Sequence, residues 1–225
     1  MILIGHRGAA GLAPENTLAS IQKALEYRVD MLEIDIRATK DGHLVLHHNE
    51  ALGDAAGNNL HIRDYTFAEL QTHKPDLALL DEAIAAVGRK VPLIIEIKPG
   101  EPVQPLIQHI RQARAKGWQP NDIWVASFHF AALQEVHAAL PDVPLIVNEQ
   151  WSGVRGSLRC RRLQTRHIAM NARWLWRGFI RGVGRSGYHL LAYNLNDPRK
   201  ARRWERAGLA GIYTDYPDRF RSAKS

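Results

Sequence analysis

A parallel (β/α)8 TIM barrel of the α/β class, with a short insertion after its second strand, is the fold the sequence predicts, and three observations predict it. Eight short apolar runs, beginning near Ile2, Met31, Leu93, Ile123, Leu145, His167, Leu190 and Gly211, alternate with helical patterns. A length of 225 residues suits one barrel domain over 1–225. No glycine-rich dinucleotide fingerprint marks the strand-order reversal of the alternative, an open doubly wound sheet.

The elements follow in order. Ile2 to His6 reads as the first strand and Gly8-Ala9-Ala10-Gly11 as a loop. Pro14-Glu15-Asn16-Thr17 then opens a helix whose Ile21, Ala24 and Leu25 are spaced for a buried face. Met31 to Ile36 is the second strand. Lys40-Asp41-Gly42 signals a turn, so Leu44 to His48 reads as the antiparallel return arm of a hairpin rather than a barrel strand. Gly53 to Asn59 reads as a loop and Thr66 to Thr72 as a short helix. The segment from Thr39 to Leu79, too long for an ordinary connection, is predicted to be an insertion over the barrel mouth.

A helix over Asp81–Gly88 leads to Pro92–Lys98, a near-continuous apolar strand of the kind buried on both faces. Helices over Val103–Lys116 and Ala131–Leu140 alternate with strands over Ile123–Phe128 and Leu145–Asn148. Arg155 to Arg166 is basic and reads equally as helix or loop. A strand over His167–Asn171, an imperfect helix over Gly178–Gly187 and a strand over Leu190–Leu195 follow. Asp197-Pro198 starts the last helix with a capping residue and a first-turn proline, and Gly211–Thr214 closes the series.

Thirty Lys and Arg against 23 Asp and Glu give a formal charge of +7, which favours an anionic partner without choosing its kind. The single cysteine, Cys160, excludes an internal disulfide framework. It lies in a basic run where a lowered thiol pKa is conceivable, though a bystander role is the simpler reading. Ile2-Leu3-Ile4 runs straight into Gly5-His6-Arg7 without the pattern of a signal peptide. No apolar run approaches the ~20 residues of a membrane span. The expectation is a cytoplasmic protein with no stable membrane insertion. Arg159, Arg161, Arg162 and Arg166, and further on Arg199, Lys200, Arg202 and Arg203, read as solvated faces, with a membrane or nucleic-acid contact as the alternative.

Active sites of such barrels lie at the carboxyl ends of the strands. His6 ends the first strand, Glu33 and Asp35 the second, Glu96 and Lys98 the third, with both pairs spaced i and i+2 and so on one face. Carboxylates this close need a cation, and hard oxygens suit a divalent metal such as Mg or Ca. The alternative for Glu33 and Asp35 alone is a solvated edge strand or pairing with arginines. A metal held by Glu33, Asp35 and Glu96 would neutralise phosphate oxygens, with Arg7 and Lys98 adding positive charge. His6 and His48 are candidates for a general base and general acid pair, because imidazole titrates near neutral pH. Phe128, Trp151, Trp174 and Tyr193, near later strand ends, are candidate contacts for an alcohol moiety, against ordinary packing. For Asn171 and Asn196 a structural role stands slightly ahead of substrate contact.

Together His6-Arg7-Gly8, Pro14-Glu15-Asn16-Thr17, Glu33-Ile34-Asp35, Asp41-Gly42 with His48 and Leu52, Glu96-Ile97-Lys98 and Thr214-Asp215-Tyr216-Pro217 carry a resemblance. The chain resembles the glycerophosphodiester phosphodiesterase family, of the short bacterial cytoplasmic kind. The resemblance implies metal-dependent hydrolysis of a small anionic glycerophosphodiester to glycerol 3-phosphate and an alcohol. It implies His6 and His48 as the acid and base pair, Glu33, Asp35 and Glu96 as ligands of one Mg or Ca ion, and Arg7 and Lys98 as phosphate contacts. It also implies initial attack by a neighbouring glycerol hydroxyl, favoured by proximity.

The chain departs from the family pattern at Asn49, where the family has Asp, and at Asp54-Ala55-Ala56, where it has Arg-Thr-Thr. Two other readings stand beside the leading one. The first is a lysophospholipase D-like enzyme, which a wide apolar groove at the site would favour. The second is a barrel that binds anions or nucleic acid without turnover; the leading reading expects no nucleic acid.

Overall fold

The computed structural model describes residues 1–53 and 59–223. From the N-terminus come β1 (Ile2–Gly5), α1 (Leu18–Glu26) and β2 (Met31–Ala38). The insertion contributes β3 (Leu44–Leu46), β4 (Ala51–Gly53), β5 (Asn59–His61) and α2 (Phe67–His73), before α3 (Leu80–Val87) returns the chain to the barrel. Thereafter strand and helix alternate as β6 (Leu93–Ile97), α4 (Val103–Ala115), β7 (Ile123–Ser127), α5 (Phe130–Ala139), β8 (Leu145–Glu149) and α6 (Gly153–Arg162). The series ends with β9 (His167–Asn171), α7 (Arg177–Arg185), β10 (His189–Tyr193), α8 (Pro198–Glu205) and β11 (Gly211–Thr214).

Eight strands, β1, β2 and β6 through β11, pair in parallel, and β1 joins both β2 and β11, so the sheet closes. β3 pairs antiparallel with β2, as a hairpin arm must. Closure makes every barrel strand two-faced. Leu32, Ile34 and Ile36 of β2 enter the large core beneath the helices, whereas Met31 belongs to a cluster inside the barrel. That inner cluster takes one residue from each of the eight strands: Ile4, Met31, Ile94, Ala126, Ile146, Ala169, Leu191 and Tyr213.

Several boundaries differ from the sequence expectation. α1 begins at Leu18 rather than at Pro14, because Thr17 caps it: Thr17 Oγ1 accepts from Ser20 N and Ser20 Oγ from Thr17 N, both at 3.2 Å. The preceding residues turn instead, with Asn16 left-handed at φ 55°. Gly153–Arg162 of the basic region is a helix whose Gly153 and Gly156 let neighbours come close. A Cβ on Gly153 would lie 2.6 Å from the Phe179 ring, and one on Gly156 would lie 3.3 Å from Ile168. After β11 the described residues form a short 3-10 turn, Pro217–Arg219.

The insertion is more than a loop. Val45, Leu52, Ile62, Leu70 and Leu77 form a separate small core within it, and β4 and β5 pair antiparallel. The Asp54-Ala55-Ala56 departure lies outside the described residues. No described helix is long and apolar enough to cross a membrane.

Candidate active site

Side chains along a strand alternate in direction, so the residue two positions beyond each member of the inner apolar cluster also points inward. Those residues are His6, Glu33, Glu96, Phe128, Asn148, Asn171, Tyr193 and Asp215. Seven of them line one cavity of about 190 Å³ at the carboxyl end of the barrel, together with Arg7, Asp35, His48 and Lys98. An apolar plug therefore carries a polar and aromatic layer directly above it.

His6 is fixed by the last strand. Its Nδ1 lies 2.7 Å from Asp215 Oδ1, and Asn194 and Asn196 donate to the two Asp215 oxygens at 2.9 and 2.7 Å. Burial opposes a charged His6 imidazole, but the Asp215 hydrogen bond and the field of Glu33 outweigh it and raise its pKa above the ordinary value. Asp215 was quoted above only as part of a motif, and no sequence signal links it to His6. Its role follows from the β1–β11 pairing that closes the barrel.

Glu33, Asp35 and Glu96 converge from two neighbouring strands paired Asp35 to Glu96, each buried and with oxygens within 4.8 Å of one another. Their surroundings differ. Asp35 Oδ1 lies 2.5 Å from Lys98 Nζ, and Asp35 Oδ2 accepts from Asn16 Nδ2 at 2.9 Å. Asn16 Oδ1 in turn accepts from Asp35 N at 3.0 Å, which accounts for the left-handed turn before α1. Arg7 Nε sits 3.2 Å from Asp35 Oδ2, in ion-pair contact but outside hydrogen-bonding geometry. Burial raises the Asp35 pKa, but Lys98 and Arg7 more than offset it, leaving the group below the usual carboxylate range.

Glu33 has a backbone donor, Arg7 N at 2.9 Å, and a like charge beside it; burial first and Asp35 second push its pKa up to about 8. Glu96 is likewise raised by burial, although Lys98 Nζ bonds its Oε1 and Asn148 Nδ2 its Oε2. Carboxylates arranged so that one must hold a proton form a site that a divalent cation would relieve. Two buried oxygens at the same cavity, Asn148 Oδ1 and Tyr213 OH, have no hydrogen-bond partner, as expected beside a bound ion or phosphate. The donor set fits a hard cation.

His48 lines the cavity from the insertion, just beyond β3. Arg37 holds its backbone carbonyl through Nε at 3.2 Å and Nη2 at 2.9 Å, while Glu101 anchors Arg37 at 2.9 Å. The imidazole Nδ1 meets Asn49 Oδ1 at 2.9 Å, a neutral partner where His6 has an anionic one. Burial, followed by the charge of Lys98, lowers the His48 pKa. His47 hydrogen-bonds the Asn49 carbonyl instead and does not line the cavity.

Of the predicted aromatic contacts, Phe128 and Tyr193 both line the cavity, their rings edge to face at 5.8 Å. Trp151 does not. It is 62% exposed and packs on Trp174 with ring centroids 5.2 Å apart, because it lies beyond the end of β8 at Glu149 and off the inward parity of Ile146 and Asn148. Asn171 lines the cavity, whereas Asn196 is a structural bracket for Asp215 and Thr214. Arg7 is held mainly by Glu15, both of whose oxygens lie 2.8 Å from its Nη1. Cys160 is buried and its thiol is pushed up to about 12 by burial, so it is inert, as a bystander should be.

A closed eight-stranded parallel barrel with two oriented histidines facing a buried carboxylate triad belongs to the class of barrel enzymes suited to phosphate ester chemistry. A sequence profile of the glycerophosphoryl diester phosphodiesterase family matches residues 6–219, and the chain belongs to that family and is a phosphoric diester hydrolase by that membership. A glycerophosphodiester phosphodiesterase of Caldanaerobacter subterraneus is 26% identical over 96% of this chain and 95% of its own. A phosphodiesterase of Oleispira antarctica, solved in complex with the product sn-glycerol-3-phosphate, superposes with a TM-score of 0.86 at 25% identity, covering 97% of this chain and 94% of the other. Human lysophospholipase D is 38% identical, but only over 46% of this chain and 34% of that protein.

Proposed function

We propose that the protein hydrolyses water-soluble glycerophosphodiesters to glycerol 3-phosphate and an alcohol, with His6 as general acid and His48 as general base. The observation that carries this is the contrasting pairing of the histidines: His6 on anionic Asp215, His48 on neutral Asn49, both lining one cavity. The anionic partner favours an imidazolium that can protonate the departing alcohol oxygen. The neutral partner favours a free imidazole that can accept the proton of the attacking hydroxyl. Arg7 and Lys98 orient the phosphate oxygens, and Phe128 and Tyr193 pack on the glycerol or alcohol moiety.

Glu33, Asp35 and Glu96 would hold one divalent cation, Mg or Ca, which when bound supplies charge neutralisation at the phosphate. The rest falls to the chain itself: Asn16 and Lys98 fix the Asp35 carboxylate, and Asn148 fixes Glu96.

The product in the Oleispira antarctica complex supports a glycerol phosphate in this pocket. The groove next to the cavity combines Arg37, Asn49, Glu50 and Gln150 with the apolar surface of Pro99, Phe128 and Tyr193, so the choice between a short alcohol and an acyl chain falls to the substrate assay. A cytoplasmic setting accords with one unpaired cysteine.

The test is release of glycerol 3-phosphate from glycerophosphocholine and glycerophosphoethanolamine, with and without chelator. Hydrolysis that persists in chelator and in His6→Ala would overturn the mechanism. Turnover of lysophosphatidylcholine in preference to both diesters would replace it with the lysophospholipase D reading.

A further inference from the structure

Between Glu149 and Asp197 the sequence has no acidic residue and nine arginines. Only Arg155 and Arg159 have carboxylate partners among the described residues, both on Glu149 at the end of β8. The other seven arginines have no carboxylate partner among the described residues. The same segment holds five of the eight large hydrophobic side chains that are exposed among the described residues: Trp151 at 62%, Val154 at 74%, Leu158 at 51%, Trp174 at 54% and Trp176 at 65%.

These side chains share one side of the barrel. Val154 and Leu158 lie one turn apart on α6, opposite buried Gly156 and Cys160. Phe179 of α7 packs on Gly153 of α6, Trp151 stacks against Trp174, and the Trp176 ring lies over Gly178 at the start of α7. Trp151 and Trp174 follow the carboxyl ends of β8 and β9, so the patch borders the mouth that holds the site.

We infer that this α6–α7 face is an interfacial docking surface for an anionic lipid bilayer, which brings the barrel mouth against the headgroups. Tryptophan rings favour the depth of the headgroups, and arginines on the same face complement anionic lipid. Exposed Val154 and Leu158 add aliphatic surface that suits acyl chains and offers nothing to a nucleic acid, whose bases call for aromatic stacking. No long apolar helix is involved, so the association is peripheral and reversible. One part rests on the proposed hydrolysis: a diester without acyl chains arises where phospholipid acyl esters are hydrolysed, at the bilayer surface, and docking sets the site where that substrate is released.

Cosedimentation of the full chain with phosphatidylglycerol-containing vesicles and with phosphatidylcholine vesicles tests this without turnover, so its failure and that of the hydrolysis are separable. The expected result is partition onto the anionic vesicles about tenfold or more above the neutral ones, weakened by high salt. Arg177→Glu with Arg181→Glu, and separately Leu158→Ser with Trp176→Ser, are expected to lower it about tenfold while leaving release of glycerol 3-phosphate from soluble diester unchanged, which also shows that the variants fold. Equal partition onto both vesicle types, or variants that partition like wild type, would overturn the inference. So would capture of single-stranded DNA, or a dimer dissolved by the same substitutions, in the absence of vesicle binding.

Discussion

Asp215 Oδ1 and His6 Nδ1 lie 2.7 Å apart although 209 residues separate them in the chain. The contact joins the residue just beyond β11 to the residue just beyond β1, where those two strands close the barrel. In the proposed mechanism Asp215 would act only through His6, as a positioning residue, and the distinction can be measured. In Asp215→Asn the alkaline limb of the pH–rate profile is expected to move toward lower pH and kcat to fall about 10–100-fold, with KM little changed. A fall in activity with the limb in place would reduce Asp215 to a structural role.

The full pH profile has a definite sign. His48 must be neutral, and its pKa is lowered, so activity is lost only below the ordinary histidine value of 6.5. His6 must be protonated, and its pKa is raised, so activity is lost only above 6.5. A plateau spanning 6.5 is expected in kcat/KM. Restoring a carboxylate with Asn49→Asp is expected to raise the acid limb, because His48 would then hold its proton more tightly.

Alanine at His6 or at His48 is expected to lower kcat by roughly 10²–10⁴-fold, with the chelated wild type also inactive. Wild-type activity restored by Mg or by Ca, assayed one ion at a time, identifies the metal. Glu33→Gln, Asp35→Asn and Glu96→Gln should each weaken the restoring ion, read as a higher ion concentration at half-maximal rate.

The stability of the metal-free protein carries the mark of Glu33. Its folded pKa of about 8 exceeds the ordinary 4.5, so the folded state holds a proton that the unfolded state releases between those values. The contribution of Glu33 to stability is expected to be fully present below 4.5 and to be lost as pH rises to about 8. Thermal melts in chelator should show that fall, and Glu33→Gln should flatten it.

Asn16→Ala removes both hydrogen bonds to Asp35 and leaves alanine at φ 55°. A loss of about 1–3 kcal/mol in denaturant titration is expected, together with weaker ion binding. Tyr193→Ala should raise KM for glycerophosphocholine, while Trp151→Ala should not.

Much of this site was legible in the sequence for one reason. A strand fixes the direction of every second side chain, so Glu33 with Asp35 and Glu96 with Lys98 could be assigned to one face before any contact was known. Strand-end position then collected His6 with them. Nearness to a strand end misled at Trp151, which lies beyond β8 and off the inward parity of Asn148. Contacts made by closure had no local sign: nothing around Asp215 points to His6, and nothing in Pro14-Glu15-Asn16-Thr17 distinguishes a helix start from a turn that clamps Asp35. The basic stretch before His167 resolved into a helix through glycine contacts with Phe179 and Ile168, which periodicity does not register.

The meeting of β1 and β11 has a further consequence for the chain during its synthesis. On the proposed assignment, the acid stands at the end of the first strand and the carboxylate that orients it after β11, so neither end of the barrel suffices alone. The nascent polypeptide would then stay chemically silent until β11 docks, and turnover itself would report that the circle has closed.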